Sequence, residues 1–180
     1  MNTYSHQLQS ARDAYDTNAS PGALPRLARL DLGDWLTANF RWDWFVTHTF
    51  RDEKITPKQA NASWFAWWNS IRLMAKAAKI PRPYYVRVAE PQKARSTPTV
   101  HYHALIGGVE PLPRLFAKDL WEVSGFARVL PYEAGRGASF YIGKYLTKGG
   151  ANVDTSHNLK KQLTRMPNTP RELPGPVITL

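Results

Sequence analysis

The sequence contains no cysteine, and that absence removes three kinds of chemistry. Thiolate metal sites, structural disulfides and cysteine nucleophiles all require the missing thiol. A chain without cysteine fits a reducing compartment, so we expect a cytoplasmic protein. No apolar stretch approaches the roughly 18 residues of a membrane-spanning helix, and the N-terminus lacks the basic and then apolar layout of a signal peptide. We therefore expect no membrane partner.

Acidic residues are also scarce. The 180 residues include 14 Asp and Glu against 24 Lys and Arg, which gives a net charge of +10. Such an excess favours nucleic acid as the partner, although a basic charge can also serve only solubility. The 7 Trp, 8 Tyr and 7 Phe strengthen the first interpretation, because single strands are held by base stacking in basic grooves. No Gly-x-x-x-x-Gly-Lys-Ser/Thr loop is present, so the chain encodes no ATPase motor of that type.

The length suits one ordinary domain with additional terminal segments. Residues 1–30 are polar and small, and Ser20-Pro21-Gly22 interrupts any helix there, which predicts a polar N-terminal arm. Residues 31–150 have the apolar periodicity of a folded domain. From residue 151 to residue 180 the composition turns polar and rich in proline, which predicts an extended or mobile C-terminal tail.

Periodicity predicts alternating strands and helices in the central region. Thr56 and Pro57 are typical of a helix start, and that helix should end before Pro81. Aromatic and β-branched residues predict strands elsewhere. The remaining predicted elements are strands at 44–50, 84–90, 99–106 and 126–132, and helices at about 115–123 and 139–148.

Two histidines in one predicted strand suggest a metal site. Residues i and i+2 of a strand project from the same face, so His101 and His103 point together. The strands at 84–90 and 99–106 predict a hairpin, and a register symmetric about Arg95 and Ser96 places Glu90 opposite His101. A slip of one residue would move Glu90 to the other face. The alternative is that His-x-His occurs by chance on a half-exposed strand and binds nothing.

Two tyrosines on the last predicted helix suggest a nucleophile. Tyr141 and Tyr145 are four residues apart and stack on one helical surface, and Lys144 and Lys148 flank them. A tyrosine has a pKa near 10, so a neighbouring cation favours the phenolate that attacks phosphorus. The alternative is that this stripe packs in the core, as most tyrosines at helical spacing do.

The order of these motifs resembles a known superfamily. Thr47-His48-Thr49, then Val100–His103, then Phe140–Lys148 are similar to the three motifs of HUH-type endonucleases, over about Trp44 to Lys148. Tyr-x-x-Lys-Tyr is most similar to the two-tyrosine replication initiators, such as the gene A protein of isometric single-stranded DNA phages. Initiators with one tyrosine use Tyr-x-x-Lys, which Tyr141 and Lys144 also satisfy. His48 departs from the usual apolar and threonine pattern of the first motif, and we expect it at the rim of the site.

The resemblance implies an α+β fold, with an antiparallel sheet of about five strands and helices on its faces, as in ferredoxin-like and RNA-recognition-like domains. It also implies roles for the residues of the motifs. His101 and His103 would bind a divalent ion, Mn²⁺ or Mg²⁺, with Glu90 as our choice of third ligand. Tyr141 would be the first nucleophile, Tyr145 the candidate second nucleophile, and Lys144 the cation beside the scissile phosphate.

The activity implied is nicking and rejoining of single-stranded DNA at a replication origin, through a covalent 5′-phosphotyrosine bond. The partner would be single-stranded DNA, with an origin hairpin as the expected form. The chain has no room for a helicase domain, so a host helicase would be recruited or supercoiling would separate the strands. Two alternatives stay open: a single-tyrosine transposase or relaxase of the same superfamily, and a non-catalytic nucleic-acid-binding module.

Overall fold

A computed structural model describes residues 33–92, 99–134, 137–139, 142 and 153–165 of the chain. The described part contains five strands and four helices with defined bounds. In chain order they are α1 (33–39), β1 (Trp44–His48), α2 (Pro57–Ala77), β2 (Tyr84–Gln92), β3 (Thr99–Gly107), α3 (Arg114–Asp119), β4 (Ala127–Pro131), β5 (Val153–Thr155) and α4 (His157–Arg165).

The five strands form one antiparallel sheet in the order β4-β1-β3-β2-β5. The succession β1-α2-β2-β3-α3-β4, with the strand order 4-1-3-2, is the ferredoxin-like arrangement. The fifth strand adds to the free side of β2. The predicted α+β fold with a five-stranded antiparallel sheet is therefore confirmed.

Helix α2 begins where the sequence predicts. Thr56 and Gln59 form a capping box, in which the Gln59 backbone N–H donates to the Thr56 hydroxyl and the Thr56 backbone N–H donates to the Gln59 amide oxygen. Pro57 occupies the first turn, where it costs no hydrogen bond. The helix ends at Ala77, four residues before Pro81.

Helices α2 and α3 cover the first face of the sheet. The buried side of α2 consists of Ala60, Trp64, Trp67, Trp68, Ile71 and Ala75. These side chains pack on Val46, Tyr102 and Ile106 of the sheet, which alternate with the residues of the other face. Trp67 also donates its indole N–H to the Ala117 carbonyl oxygen at 2.7 Å, which ties α2 to α3. The aromatic content of the chain therefore goes largely into this core.

The second face of the sheet has a smaller core. Leu105 and Val86 lie at its centre, and Leu36 of α1, Leu159 of α4 and Ile142 pack with them. Phe45 borders the same cluster. The cover on this face comes from short segments that are distant in sequence, so part of the face stays accessible. The candidate site lies there.

The segment from 153 to 165 is part of the folded domain. Strand β5 pairs with β2, and Asp154 accepts hydrogen bonds from the Tyr85 hydroxyl at 2.8 Å and the Arg87 guanidinium at 3.1 Å. Leu159 of α4 is buried. The prediction of an extended or mobile tail is therefore wrong for these residues. A polar segment can join a sheet edge when it supplies one charge to a buried arginine, and composition does not reveal that partner.

Other predicted boundaries also need correction. Helix α3 stops at Asp119, whereas the pattern predicted a helix up to about Val123. The chain instead makes tight turns from residue 120 to residue 124, which insert Trp121 into the core, where its indole N–H donates to the Thr49 carbonyl oxygen at 2.9 Å. The predicted arm at 1–30, most of the predicted helix at 139–148 and the tail beyond 165 lie outside the described residues.

Within the residues that the structure describes, no helix has both the length and the apolar character needed to cross a membrane.

Candidate functional site

The register of β2 and β3 brings the predicted metal ligands together. Glu90 lies directly opposite His101, and Val88 lies opposite His103. Because directly opposed residues share a face, Glu90 and both histidines project from the second face of the sheet. The register predicted from the hairpin is therefore confirmed. A sheet also orders these residues in rows, and His103 of β3 continues across the sheet to Thr47 of β1.

His103 is held at both ring nitrogens. Its Nδ1 lies 3.1 Å from the Thr47 hydroxyl, and its Nε2 lies 3.0 Å from Oε2 of Glu90. The residue is 6% exposed, and the Phe45 ring lies nearly parallel to the imidazole with centroids 6.3 Å apart. Packing and two polar contacts therefore fix the orientation of this imidazole, with Nε2 directed toward the carboxylate.

His101 lies beside His103 but is less enclosed. The two ring centroids are 6.4 Å apart at an interplanar angle of 61°, and His101 is half-buried. The ring is therefore close enough to act on the same ligand as His103, and it faces the more open end of the sheet surface.

The side chains fit a divalent ion in part. Two ligands at about 2.1 Å from an ion, at a right angle, are about 3.0 Å apart, and the distance between His103 Nε2 and Glu90 Oε2 is 3.0 Å. Imidazole nitrogen with carboxylate oxygen suits Mn²⁺ better than Mg²⁺. In the described parts of the chain no three His, Asp or Glu side chains converge closely enough to hold an ion. His101 would have to move toward the other two ligands.

A cleft of about 360 Å³ opens next to His103 on this face. Its mixture of apolar and polar walls can accept a group that is partly charged and partly flat. The lining residues are Phe45, Thr47, His103, Leu130, Pro131, Glu133, Gly137 and Ala138.

The predicted nucleophiles lie outside the described residues. This applies to Tyr141, Tyr145 and Lys144. Their described neighbour Ile142 is fully buried and packs with Leu105, which lies on the same face of β3 as the histidines. The segment that carries the predicted nucleophiles is thus anchored at one point on the face that carries the predicted metal ligands.

His48 is not at the rim of the site, contrary to our prediction. The residue is fully buried on the first face of the sheet, stacked on Trp121 with ring centroids 3.8 Å apart. Burial lowers its pKa well below the usual value, and the positive charge of Arg87 acts in the same direction. Strand alternation separates His48 from Thr47, so the histidine of the first motif belongs to the core.

Thr47 is the site residue that motif reasoning alone missed. The sequence does contain a signal for it, because Thr47 alternates with the apolar residues of β1 and must face away from the core that they form. Its hydroxyl can accept a proton from Nδ1 or donate one to it, so it can support either tautomer of His103. Its role is to orient the ring.

Comparisons with known proteins agree with the position of these motifs. The family model for replication-associated protein ORF2 and its relatives matches residues 43–150, from the start of β1 past the predicted tyrosine helix. No curated protein and no solved structure matched the chain.

Proposed function

Because the chain belongs to this family of replication-associated proteins, we propose that it starts DNA replication by nicking single-stranded DNA at an origin through a covalent phosphotyrosine bond. The observation that carries the proposal is the contact of 3.0 Å between His103 and Glu90, next to His101 on the same face of the sheet. Imidazole nitrogens and a carboxylate on a basic protein suit metal-assisted chemistry at a phosphate.

A divalent ion bound by His101, His103 and Glu90 would polarise the scissile phosphate and offset its developing negative charge. The protein residues supply the rest of the reaction. The phenolate oxygen of Tyr141 attacks phosphorus, the bond from phosphorus to the 3′ oxygen breaks, and that oxygen takes up a proton to become a free 3′-hydroxyl. Lys144 favours the phenolate, and Tyr145 would accept the strand in a second transfer. The phosphotyrosine conserves the bond energy, so rejoining requires no ATP.

Thr47 and Phe45 have supporting roles in this proposal. The Thr47 hydroxyl, 3.1 Å from Nδ1 of His103, keeps Nε2 directed toward Glu90. The Phe45 ring limits rotation of the imidazole from its flat side. Groups that orient ligands in this way affect metal affinity strongly, although they touch neither the metal nor the substrate.

The test is a covalent-adduct assay. The protein is mixed with a random-sequence pool of single-stranded oligonucleotides and Mn²⁺, and complexes that survive SDS are counted and sequenced. We expect an adduct for the wild type, loss of the adduct in Tyr141→Phe, and an adduct at the wild-type level in Tyr84→Phe, since Tyr84 bonds to the Arg41 carbonyl oxygen away from the site. An undiminished adduct in the double variant Tyr141→Phe and Tyr145→Phe would refute the assigned nucleophiles.

A non-catalytic DNA-binding module is the second candidate. It is favoured by the fact that both ring nitrogens of His103 have protein partners, and that no three-ligand cluster is preformed in the described residues. EDTA separates the two candidates, because it should abolish adduct formation by an enzyme and leave binding by a module unchanged. A transposase or relaxase would form the same adduct, and the sequenced oligonucleotides would then match a transposon end or a transfer origin.

A further inference from the structure

Two residues of the edge strand β4 extend the rows of the candidate site. Arg128 lies opposite Thr47, and Thr47 lies opposite His103, so one row runs from the sheet edge to the histidine. The carbonyl oxygen of Phe126 accepts hydrogen bonds from the backbone N–H and the hydroxyl of Thr49. Continuing the register by one residue places Phe126 and Thr49 in the row of His101.

Both side chains belong to the face of the histidines. Ala127 and Val129 of β4 are buried in the core under α2, so the residues that alternate with them project from the opposite face. Leu130 confirms this alternation, since it lines the cleft beside His103. Neighbouring strands are about 4.8 Å apart, so the Arg128 backbone is about 10 Å from that of His103, within reach of a bound oligonucleotide.

Neither residue is used by the fold. Phe126 is 63% exposed, although phenylalanine is usually buried. Arg128 is exposed, and within the described part of the chain it forms neither an ion pair nor a hydrogen bond. By contrast, Arg41 is paired with Glu110 and Arg87 is paired with Asp154. An exposed ring and an unpaired guanidinium, two residues apart on one edge, have no structural explanation within the domain.

The position of Phe126 is fixed by its neighbour. A Cβ atom on Gly125 would collide with the Thr49 carbonyl oxygen and would lie 2.9 Å from the Phe50 Cα, so only glycine allows this close approach. The turn therefore lies directly against the end of β1, and Phe126 emerges from a rigid attachment. A rigid, exposed aromatic ring loses little entropy when it binds a flat ligand.

We propose that this edge of β4 is a subsite for single-stranded DNA, in which the Phe126 ring stacks on a base and the Arg128 guanidinium contacts the adjacent phosphate. An alternation of aromatic and cation along an open sheet edge fits the alternation of base and phosphate along a single strand. The inference rests on the proposed function for its substrate. It adds the direction of the strand, which leaves the metal site across Thr47 and passes over the edge of the sheet at β4.

The experiment measures affinity without catalysis. Fluorescence anisotropy of a labelled single-stranded oligonucleotide of mixed sequence is recorded in EDTA with the full-length protein. Phe126→Ala should weaken binding about tenfold, Phe126→Leu nearly as much, and Phe126→Tyr should restore the wild-type affinity, because stacking requires a ring. Val123→Ala is the matched control, since it removes a side chain that is 87% exposed on the preceding turn, and it should leave affinity unchanged.

Arg128→Gln should weaken binding about fivefold and lower the slope of log affinity against log salt by about 0.7. Arg72→Gln on the outer side of α2 removes the same charge from an exposed position, and it should change neither quantity measurably. Wild-type affinity in both Phe126→Ala and Arg128→Gln would overturn the subsite, and so would equal losses in the two control variants.

The two proposals fail separately. Adduct formation at the wild-type level, with wild-type affinity in Phe126→Ala and Arg128→Gln, refutes the subsite and leaves the nicking activity in place. Weakened binding in those variants, with no adduct from the wild type, supports the subsite and refutes the nicking activity. Thermal denaturation of each variant checks that the fold is retained, which we expect because both side chains are exposed.

Discussion

His48 offers the sharpest test of the core. Its imidazole is fully buried between Trp121, on which it stacks, and Trp67, which it meets edge to face with centroids 4.5 Å apart. Neither ring nitrogen has a hydrogen-bond partner among the described residues. We expect His48→Phe to keep the stacked ring, remove the two unsatisfied nitrogens and abolish the acid sensitivity that this histidine confers.

The magnitude follows from linkage between protonation and folding. Burial lowers the pKa of His48 in the folded state, so the folded protein keeps the ring neutral while the unfolded chain binds a proton below a pH of about 6.5. Stability is therefore complete above that pH and is lost as the pH falls. If the folded-state ring stays neutral at pH 5, the loss between about pH 7.5 and pH 5 is about 2 kcal/mol, a large part of a total of about 5–15 kcal/mol.

The assay is urea denaturation of the wild type and His48→Phe at both pH values. The other four histidines and all carboxyl groups are common to the two proteins, so the difference between their pH dependences isolates His48. The variant should be at least as stable as the wild type at pH 7.5 and about 2 kcal/mol more resistant to acidification. Parallel loss of stability in both proteins would show that His48 is protonated or hydrogen-bonded in the folded state, and the reasoning would be wrong.

Three further substitutions test the elements that support the site. Thr56→Ala removes the hydroxyl that caps α2 and should cost about 1 kcal/mol in urea denaturation, whereas Ser70→Ala within the same helix should cost clearly less. Asp154→Asn leaves the buried Arg87 without its counter-charge and should cost about 2 kcal/mol, against less than about 0.5 kcal/mol for Asp119→Asn at the exposed pair with Lys118; equal effects would contradict the burial argument. Gly125→Ala forces a Cβ onto the Thr49 carbonyl and should lower stability by about 2 kcal/mol, with Ser124→Ala as the neutral comparison; an unchanged melting temperature would show that the turn can move away from β1.

The elements closest to the site could be predicted because their signals are local. The capping box at Thr56 depends on residues within one helical turn, and the facing of His101 and His103 depends only on the period of a strand. The pairing of Glu90 with His101 needed one assumption, a symmetric hairpin, and the register confirms it. The roles of Tyr141, Tyr145 and Lys144 remain predictions that rest on their spacing and on the resemblance.

The failures came from contacts between segments that are distant along the chain. The sequence pattern assigns His48 to a site motif, yet Trp64, Trp67 and Trp121 enclose it from two helical regions that no local pattern connects. The composition assigns residues 153–155 to a polar tail, yet Asp154 meets a guanidinium in the middle of β2. In both cases burial is decided by a partner far away in sequence.

The sequence by itself determined the basic charge, the absence of thiol chemistry, the helix and strand periods, and the face that carries His101, His103 and Glu90. Each of these depends on composition or on neighbours within a few residues. The tertiary structure alone decided that Thr47 orients His103, that His48 lies in the core, and that Phe126 and Arg128 extend the site to the sheet edge. These results depend on the strand order β4-β1-β3-β2-β5, because lateral pairing sets which side chains share a row, and pairing joins residues more than fifty positions apart.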